Sequence, residues 1–507
     1  MPWDRVDPDV PGRPVIDRAS PTDRAFLAMD DDRSPAHFGV ILLFGETGGF
    51  DVARGRQVLA ERVAAVPRLR QRLVRTPFGC GGPIWVDDED FDIENQVRVV
   101  RCAEPGDERA LLDTAYALVS TPLARNGPRW SAVFVTGLVE GAVALVVVLH
   151  HVLADGVGGL AILAGLADPG PRAQRSPLPR PGVVQSALDG PADPGPAAPV
   201  PRSPLLRPGV VQSAFGGPAG AGPAAPPPRF PQSRPGRVQL ALDALSRRVR
   251  AVLGVGTAVR LLRASMAAAG GVSPQRATPC SLLRRTGGRG RPVVVRVPVA
   301  SVRAAAHRCG GTTNDAILVA VASALNRVLR ADEEELDTVV IGVPVSGHAS
   351  GEPARGNMVS PLLVAVPATG DLAQRLRSTA GWVRTHKAAA QGPPPIALLG
   401  WLFRPLAALG AYRWYMNHQN RMHTLVSHVR GPSEPITFAG RQIRSAIPMG
   451  VGADGNMTVY FEVFTYAGIV TITAIADPVR FPDLDVLAQA VSDELARMGT
   501  LSPGGRL

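Results

Sequence analysis

The chain has 507 residues, 45% of them hydrophobic, with 54 Lys and Arg against 43 Asp and Glu and a net charge of +11. That length accommodates two or three domains with ample cores. Four cysteines (Cys80, Cys102, Cys280 and Cys309) form no C-x-x-C pair, which points away from a structural zinc site or a disulfide framework and toward a reducing cytoplasm.

The opening MPWDRVDPDV lacks the basic patch and apolar core of a signal peptide. In the first half, helices are expected over 54–74 (RGRQVLAERVAAVPRLRQRLV) and 107–123 (DERALLDTAYALVSTPL). The apolar run 130–151 is interrupted by Glu140 and Gly141 and rich in β-branched residues, so it reads as two strands joined by a tight turn rather than a spanning helix. It ends in the stretch LHHVLADGVGGL, residues 149–160.

Residues 168–236 read as a Pro/Gly/Ala-rich linker. They contain a duplication in which 175–199 recurs as 202–226 with 20 of 25 positions identical. Such composition buries too little apolar surface to offset its ordering entropy, so extended or disordered chain is expected. The linker divides the chain into a first domain, 1–167, and a second, 237–500.

The second domain opens on a helical stretch, 238–269. A strand at 292–299 follows, then a helix at 312–330 whose Ile317, Val321, Ala324 and Val328 share one face. Strands are expected at 338–345 and 358–367, and helices at about 371–389 and 395–416. Two more strands, 456–464 and 468–477, precede a closing helix near 481–498. The apolar 393–416 carries Arg404 and Pro405 at its centre, which argues against spanning a bilayer and leaves a surface role open. Strands and helices alternate in both halves, so the expected class is α/β with mixed sheets.

Charge is unevenly placed. Residues 171–310 hold 21 arginines and three acids, a surplus of 18, leaving the remainder at −7. A basic centre suits anionic lipid headgroups or acidic ligands, although one lysine (Lys387) against 53 arginines equally fits GC-rich coding.

The chemistry concentrates at the double histidine. Alternation along the strand puts His150 and His151 on opposite faces, so one can face the core and the other a cleft. Gly156, Gly158 and Gly159 permit close approach of backbone to a ligand where a helix begins. A histidine poised before a glycine turn suits a general base, because its pKa lies near working pH. Asp155 either orients it or ties the turn to a basic residue elsewhere. The residues alone leave a structural role for the pair equally open.

The spacing H-H-x-x-x-D-G resembles the signature of the CoA-dependent acyltransferase superfamily. Other stretches narrow the resemblance to bacterial wax ester synthase/diacylglycerol acyltransferases: PTDRAFLAMDDDRSPAHFGVILLF (21–44), PLARNGPRW (122–130), TTNDAILVAVASAL (312–325), GNMVSPLLVAVP, SHVRGP and NMTVYFEVFTYAG, in that order. The resemblance covers nearly all the chain except the linker. It implies two chloramphenicol-acetyltransferase-like domains with an active-site tunnel between them. It further implies that His151 takes the proton from a diacylglycerol or long-chain alcohol hydroxyl, which attacks an acyl-CoA thioester. His150 would support it, Asp155 would hold the loop, and Gly156 would leave room for substrate. Substrate-binding roles fall to Pro122, Leu123, Trp130, Asn314, Asp315, Ser427 and Gly431. Acyl-CoA is then a substrate; no cofactor, metal or nucleic acid is expected. The implied location is the inner face of the cell membrane or a lipid droplet, held peripherally. Triacylglycerol synthesis, with wax ester synthesis beside it, is the leading reading. The alternatives are condensation-type acyl transfer and a diverged paralogue that binds lipid or lipid-droplet surfaces.

Each supporting motif has a plainer explanation. Asn314 and Asp315 sit in a first helical turn, where they favour the free N–H groups whatever the chemistry. Pro122, Leu123, Pro128 and Trp130 suit turn and packing roles. GVGADG (450–455) fits G-x-G-x-x-G, but a strand follows it, which rules out a dinucleotide site. The chain also departs from the family pattern. Arg129 replaces a leucine, His428 and Arg430 replace Asn and Pro, and Leu283, Arg284 and Arg285 stand for Leu-Asn-Gly. These changes leave the base in place and bear on activity and substrate preference.

Overall fold

The computed structural model describes residues 16–31, 34–45, 49–169, 234–253, 256, 260, 276–346, 359–389, 405–452 and 455–499. Most of the duplicated linker, the later part of the 238–269 stretch and the start of 393–416 lie outside the described residues.

The first half runs α1 (Pro21–Met29), β1 (His37–Phe44), α2 (Val52–Val63), β2 (Gln71–Val74), β3 (Ile84–Asp87), β4 (Val97–Arg101), α3 (Glu108–Ser120), β5 (Trp130–Thr136), β6 (Ala144–His150) and α4 (Gly156–Leu166). The second half contains α5 (Arg237–Leu253), β7 (Arg291–Pro298), α6 (Val299–Arg308), α7 (Thr313–Ala331), β8 (Thr338–Ser346), β9 (Val359–Pro367), α8 (Leu372–Ala389) and α9 (Ala411–His418). It closes with β10 (Thr424–Arg430), β11 (Thr437–Phe438), β12 (Arg441–Gly450), β13 (Val459–Tyr466), β14 (Ile469–Ala476) and α10 (Leu484–Gly499).

Two six-stranded mixed sheets organise these elements, in the orders β11-β12-β1-β6-β5-β4 and β7-β14-β13-β10-β8-β9. The expected α/β class with mixed sheets is what forms. β5 and β6 pair antiparallel around the break at Glu140 and Gly141, as the interrupted apolar run requires. The helix over 313–331 is buried from Thr313 to Asn326 on every side, not along one face, because α6, α8 and α10 pack around it against the second sheet.

One expectation needs correction. The helix expected over 54–74 ends at Val63; Pro67 has no N–H to continue it, Val66 turns extended, and residues 71–74 form β2. The two halves meet in space. β12 crosses back to pair with β1, residue for residue from Phe38 with Gly450 to Leu42 with Ala446, and so completes the first sheet. Helix α5 likewise belongs to the first half. Its Leu240 packs with Cys80, Ile84 and Val86, and its Asp243 pairs with Arg18. Asp168, the first residue of the expected linker, pairs with Arg62 and accepts from the backbone N–H groups of Ala439 and Gly440.

These crossings build a seam where one face of the second sheet meets the first. On β13, Val459, Phe461 and Val463 join the core under α7, whereas Tyr460, Phe464 and Tyr466 pack into the first half. Tyr116 of α3 reinforces the seam: its hydroxyl donates to the carbonyl of Val451 and accepts from the N–H of Gly290. No helix among the described residues is long and apolar enough to cross a membrane.

Candidate active site

His151 is the first residue after β6. Its backbone N–H donates to the carbonyl of Ala36, 2.8 Å away, which ties it to the entry of β1. Its ring stacks on Phe26 of α1 (centroids 4.8 Å apart, planes 15° apart) and leans on Phe38 of β1 at 4.8 Å. Burial between these rings, with a smaller contribution from neighbouring His150, holds its pKa down to about 4. At neutral pH His151 is therefore an unprotonated imidazole, the form a general base requires.

His150 points the other way and is fully buried. Its Nδ1 accepts from the backbone N–H of Val152 at 2.9 Å, so the neutral ring carries its proton on Nε2. That nitrogen lies 3.3 Å from Asp30 Oδ2. Asp30 also faces Arg129 Nη1 at 3.4 Å and accepts from the N–H of Ala36 at 3.2 Å. Burial opposes its ionisation, but His150, Ala36 and Arg129 outweigh it and bring its pKa to about 2. His37 completes the cluster, its Nδ1 donating to the carbonyl of Val119 at 3.1 Å and its pKa lowered to about 4, chiefly by burial.

Asp30, His37 and His150 approach closely enough to hold a metal ion. The hydrogen bonds do not fit one: the His150 nitrogen facing Asp30 carries a proton, and Arg129 already presses a positive charge on the carboxylate. These contacts tie His150 and the entry of β1 to Asp30.

Asp155 caps α4. It is buried, and its Oδ1 accepts from the N–H of Gly158 at 2.9 Å, which fixes the turn between His151 and the helix. A Cβ on Gly156 would lie 2.7 Å from Cγ2 of Val429, so the space beside this glycine is filled by β10 of the second half. On Gly159 a Cβ would strike the Phe38 ring at 2.7 Å. The glycines let α4 sit against both the histidine platform and the seam.

The remaining candidates divide into groups. Trp130 is buried in the first core and donates from Nε1 to the carbonyl of Leu69; Leu123 packs under α3 and Pro122 is exposed. Asp315 forms a capping box with Thr312. Asn314 is buried and its Oδ1 lies 3.3 Å from Nδ1 of His428, which joins two of the sequence motifs. This pair sits on the helix-covered face of the second sheet, because His428 pairs with Val463. Ser427, one residue earlier, faces the seam beside Glu462. Gly431 is required by packing, since a Cβ there would meet Phe464 at 2.5 Å. Sequence reasoning missed Phe26, Phe38, Asp30, His37 and Glu462, which are placed by strand register and by the packing of α1.

The family model for the wax ester synthase/diacylglycerol acyltransferase catalytic domain matches residues 19–317, and that for the family's C-terminal domain matches 355–499. The chain belongs to this family. A probable diacylglycerol O-acyltransferase of Mycobacterium tuberculosis (strain ATCC 25618 / H37Rv), tgs1, is 27% identical over 454 residues, covering 88% of this chain and 87% of that one. A putative diacylglycerol O-acyltransferase of M. tuberculosis (strain CDC 1551 / Oshkosh) is 26% identical, covering 97% and 92%. The wax ester synthase/diacylglycerol acyltransferase of Marinobacter aquaeolei VT8 has a similar fold, with TM-score 0.60, 20% identity and coverage of 95% and 98%. The first condensation domain of the calcium-dependent antibiotic synthetase is similar in fold at TM-score 0.59 and 16% identity, covering 96% and 97%.

The chain's departures from the family pattern now have locations. Arg129 is neutralised by Asp30, and His428 reaches Asn314. Burial pushes the His428 pKa down to about 3, so it packs as a neutral ring. Arg284 and Arg285 lie exposed on the surface.

Proposed function

We propose that this acyltransferase moves a fatty acyl group from acyl-CoA to the hydroxyl of diacylglycerol, making triacylglycerol, and accepts long-chain alcohols in the same role. The observation that carries this reading is His151: a neutral imidazole held between two aromatic rings at the mouth of a capped glycine turn. As general base, His151 takes the proton from the acceptor hydroxyl while its oxygen attacks the thioester carbonyl. The tetrahedral intermediate then collapses, the C–S bond breaks, and the proton passes from His151 to the CoA thiolate. Acyl-CoA is a substrate; no cofactor or metal enters these steps. His150 and Asp155 hold the loop without touching substrate. The family match favours this reading over condensation-type transfer, whose similarity is one of fold alone. The test is transfer of labelled acyl chain from acyl-CoA to diacylglycerol. His151→Ala is expected to lower turnover about 10²–10⁴-fold, the usual worth of a general base. Near-normal turnover would overturn the assignment.

A second part of the proposal is that the enzyme works from the surface of a membrane or lipid droplet, because its acceptor resides there. Along α5, Val238, Leu242, Leu245 and Val249 are exposed on one side, with Arg247, Arg248 and Arg250 beside them. Leu409 and Trp414 are exposed near α9. An apolar stripe flanked by arginines suits an interface of anionic headgroups. Sedimentation with anionic vesicles, weakening sharply with salt and little seen with neutral vesicles, is the expected result. Equal binding to both would transfer the role to the apolar residues.

A further inference from the structure

One polar row on the seam has no part in the steps above. Ser427, Glu462 and Thr473 are neighbours across β10, β13 and β14: Ser427 pairs with Glu462, and Glu462 with Thr473. All three belong to the face that meets the first half. On β14, Val470, Ile472 and Ala474 join the core under α7, and Ile475, on Thr473's side, joins a core of the first half. Thr473 is fully buried and its Oγ1 has no hydrogen-bond partner among the described residues. Glu462 retains some accessible surface although it lies deep in the molecule. A carboxyl and an unpartnered hydroxyl at an interdomain seam are costly unless something there uses them.

The first half makes space for Glu462. A Cβ on Gly450 would lie 3.2 Å from Glu462 Oε1 and 3.5 Å from its Cγ. Gly450 pairs directly with Phe38, the residue on which His151 leans. Paired residues share a sheet face. Glu462 therefore reaches from the second half onto the face of the first sheet that carries the histidine. The groups around it are the Ser427 hydroxyl from β10, Thr473 from β14, Tyr460 from β13 and the main chain of Gly450 from β12, with His151 beyond Phe38. Among the described residues, none of the groups named here carries a charge at neutral pH.

We propose that Glu462, as the neutral acid, donates a hydrogen bond to the acyl carbonyl oxygen of the thioester as it is attacked in the seam. Ser427 donates to the second carboxyl oxygen and fixes the acid's direction. The proton stays on Glu462 throughout, so the step adds charge stabilisation without proton transfer. Burial supplies the needed form: it lifts the carboxyl pKa to about 7, against a smaller lowering by Ser427. The proposal rests on the acyl-transfer reading of the same site.

Its test uses the full chain, with transfer from acyl-CoA to diacylglycerol measured from pH 6 to 9. Wild-type turnover should fall as pH rises through about 7, because ionised Glu462 cannot donate. Glu462→Gln keeps a donor, so its turnover should stay within about threefold and the alkaline fall should vanish. Glu462→Leu should lose roughly ten- to a hundredfold in kcat, somewhat below the full worth of an oxyanion donor. An Glu462→Leu enzyme within twofold of wild type, with the alkaline fall intact, would overturn the proposal. Infrared difference spectra on adding long-chain acyl-CoA give a readout independent of turnover. A protonated-carboxyl band absent from Glu462→Gln should shift to lower frequency when thioester binds. No such band would refute the role of Glu462 even if transfer occurs. The band without any transfer would instead refute the acyl-transfer reading, and its failure to shift would also count against the contact.

Discussion

The two faces of the first sheet treat adjacent histidines in opposite ways. On the α3 side, His150 and His37 are locked by backbone partners and an ionised Asp30, so each ring nitrogen so engaged has a defined proton state. On the seam side, His151 meets two aromatic rings, and its neutral form comes from burial. One step along the chain separates a ring held by hydrogen bonds from one held by aromatic packing. A histidine's role here follows from what its face of the sheet presents, not from the residue type.

The largest test of this contrast is to exchange the losses. His151→Ala should remove nearly all acyl transfer while leaving unfolding within about 1 kcal/mol of wild type, the worth of a ring pair. Asp30→Ala should do the reverse. It strips the acceptor from His150, Arg129 and the Ala36 N–H, and losing one partner of a buried ion pair costs about 3 kcal/mol. Urea unfolding and initial rates on both variants would decide; equal stability losses would erase the distinction.

A smaller effect is expected where α4 meets the seam. Gly156→Ala must move Val429, an overpacking cost of about 1–3 kcal/mol. Turnover should drop several-fold, and Val429→Ala in the same chain should restore most of it. Failure of that rescue would mean the glycine serves substrate rather than packing.

The gentlest probe is pH. His37 and His151 titrate near 4 in the folded protein against 6.5 as model groups, so the unfolded chain binds more protons between those values. The contribution of these two histidines should accordingly be full above about pH 6.5 and decline as pH falls toward 4, while Glu462, raised from 4.5 to about 7, works in the opposite direction between its own two values. Asp30, held near 2 against a model value of 3.8, extends the loss below that. His37→Gln should show a shallower decline between pH 6.5 and 4.5 in thermal unfolding; an unchanged slope would place the titration elsewhere.

What could be read directly from the chain was contiguous or periodic. The double histidine, the cap at Asp155 and the glycine turn lie within twelve residues, and local hydrogen bonds from Val152 to His150 and from Gly158 to Asp155 help to fix their relation. The paired strands around Glu140 and Gly141 follow from their β-branched runs. Chain order could not announce Phe26, Asp30 or Phe38 as neighbours of the histidines, because β1 meets β6 through sheet register and α1 reaches them only by tertiary packing. Nor could it place Glu462 over Gly450, or bring β12 back across the linker into the first sheet. Periodicity tells a strand which faces it has but not which strand it will pair with. That choice is settled when the two halves close on each other, and it is there that Glu462 comes to lie against Gly450.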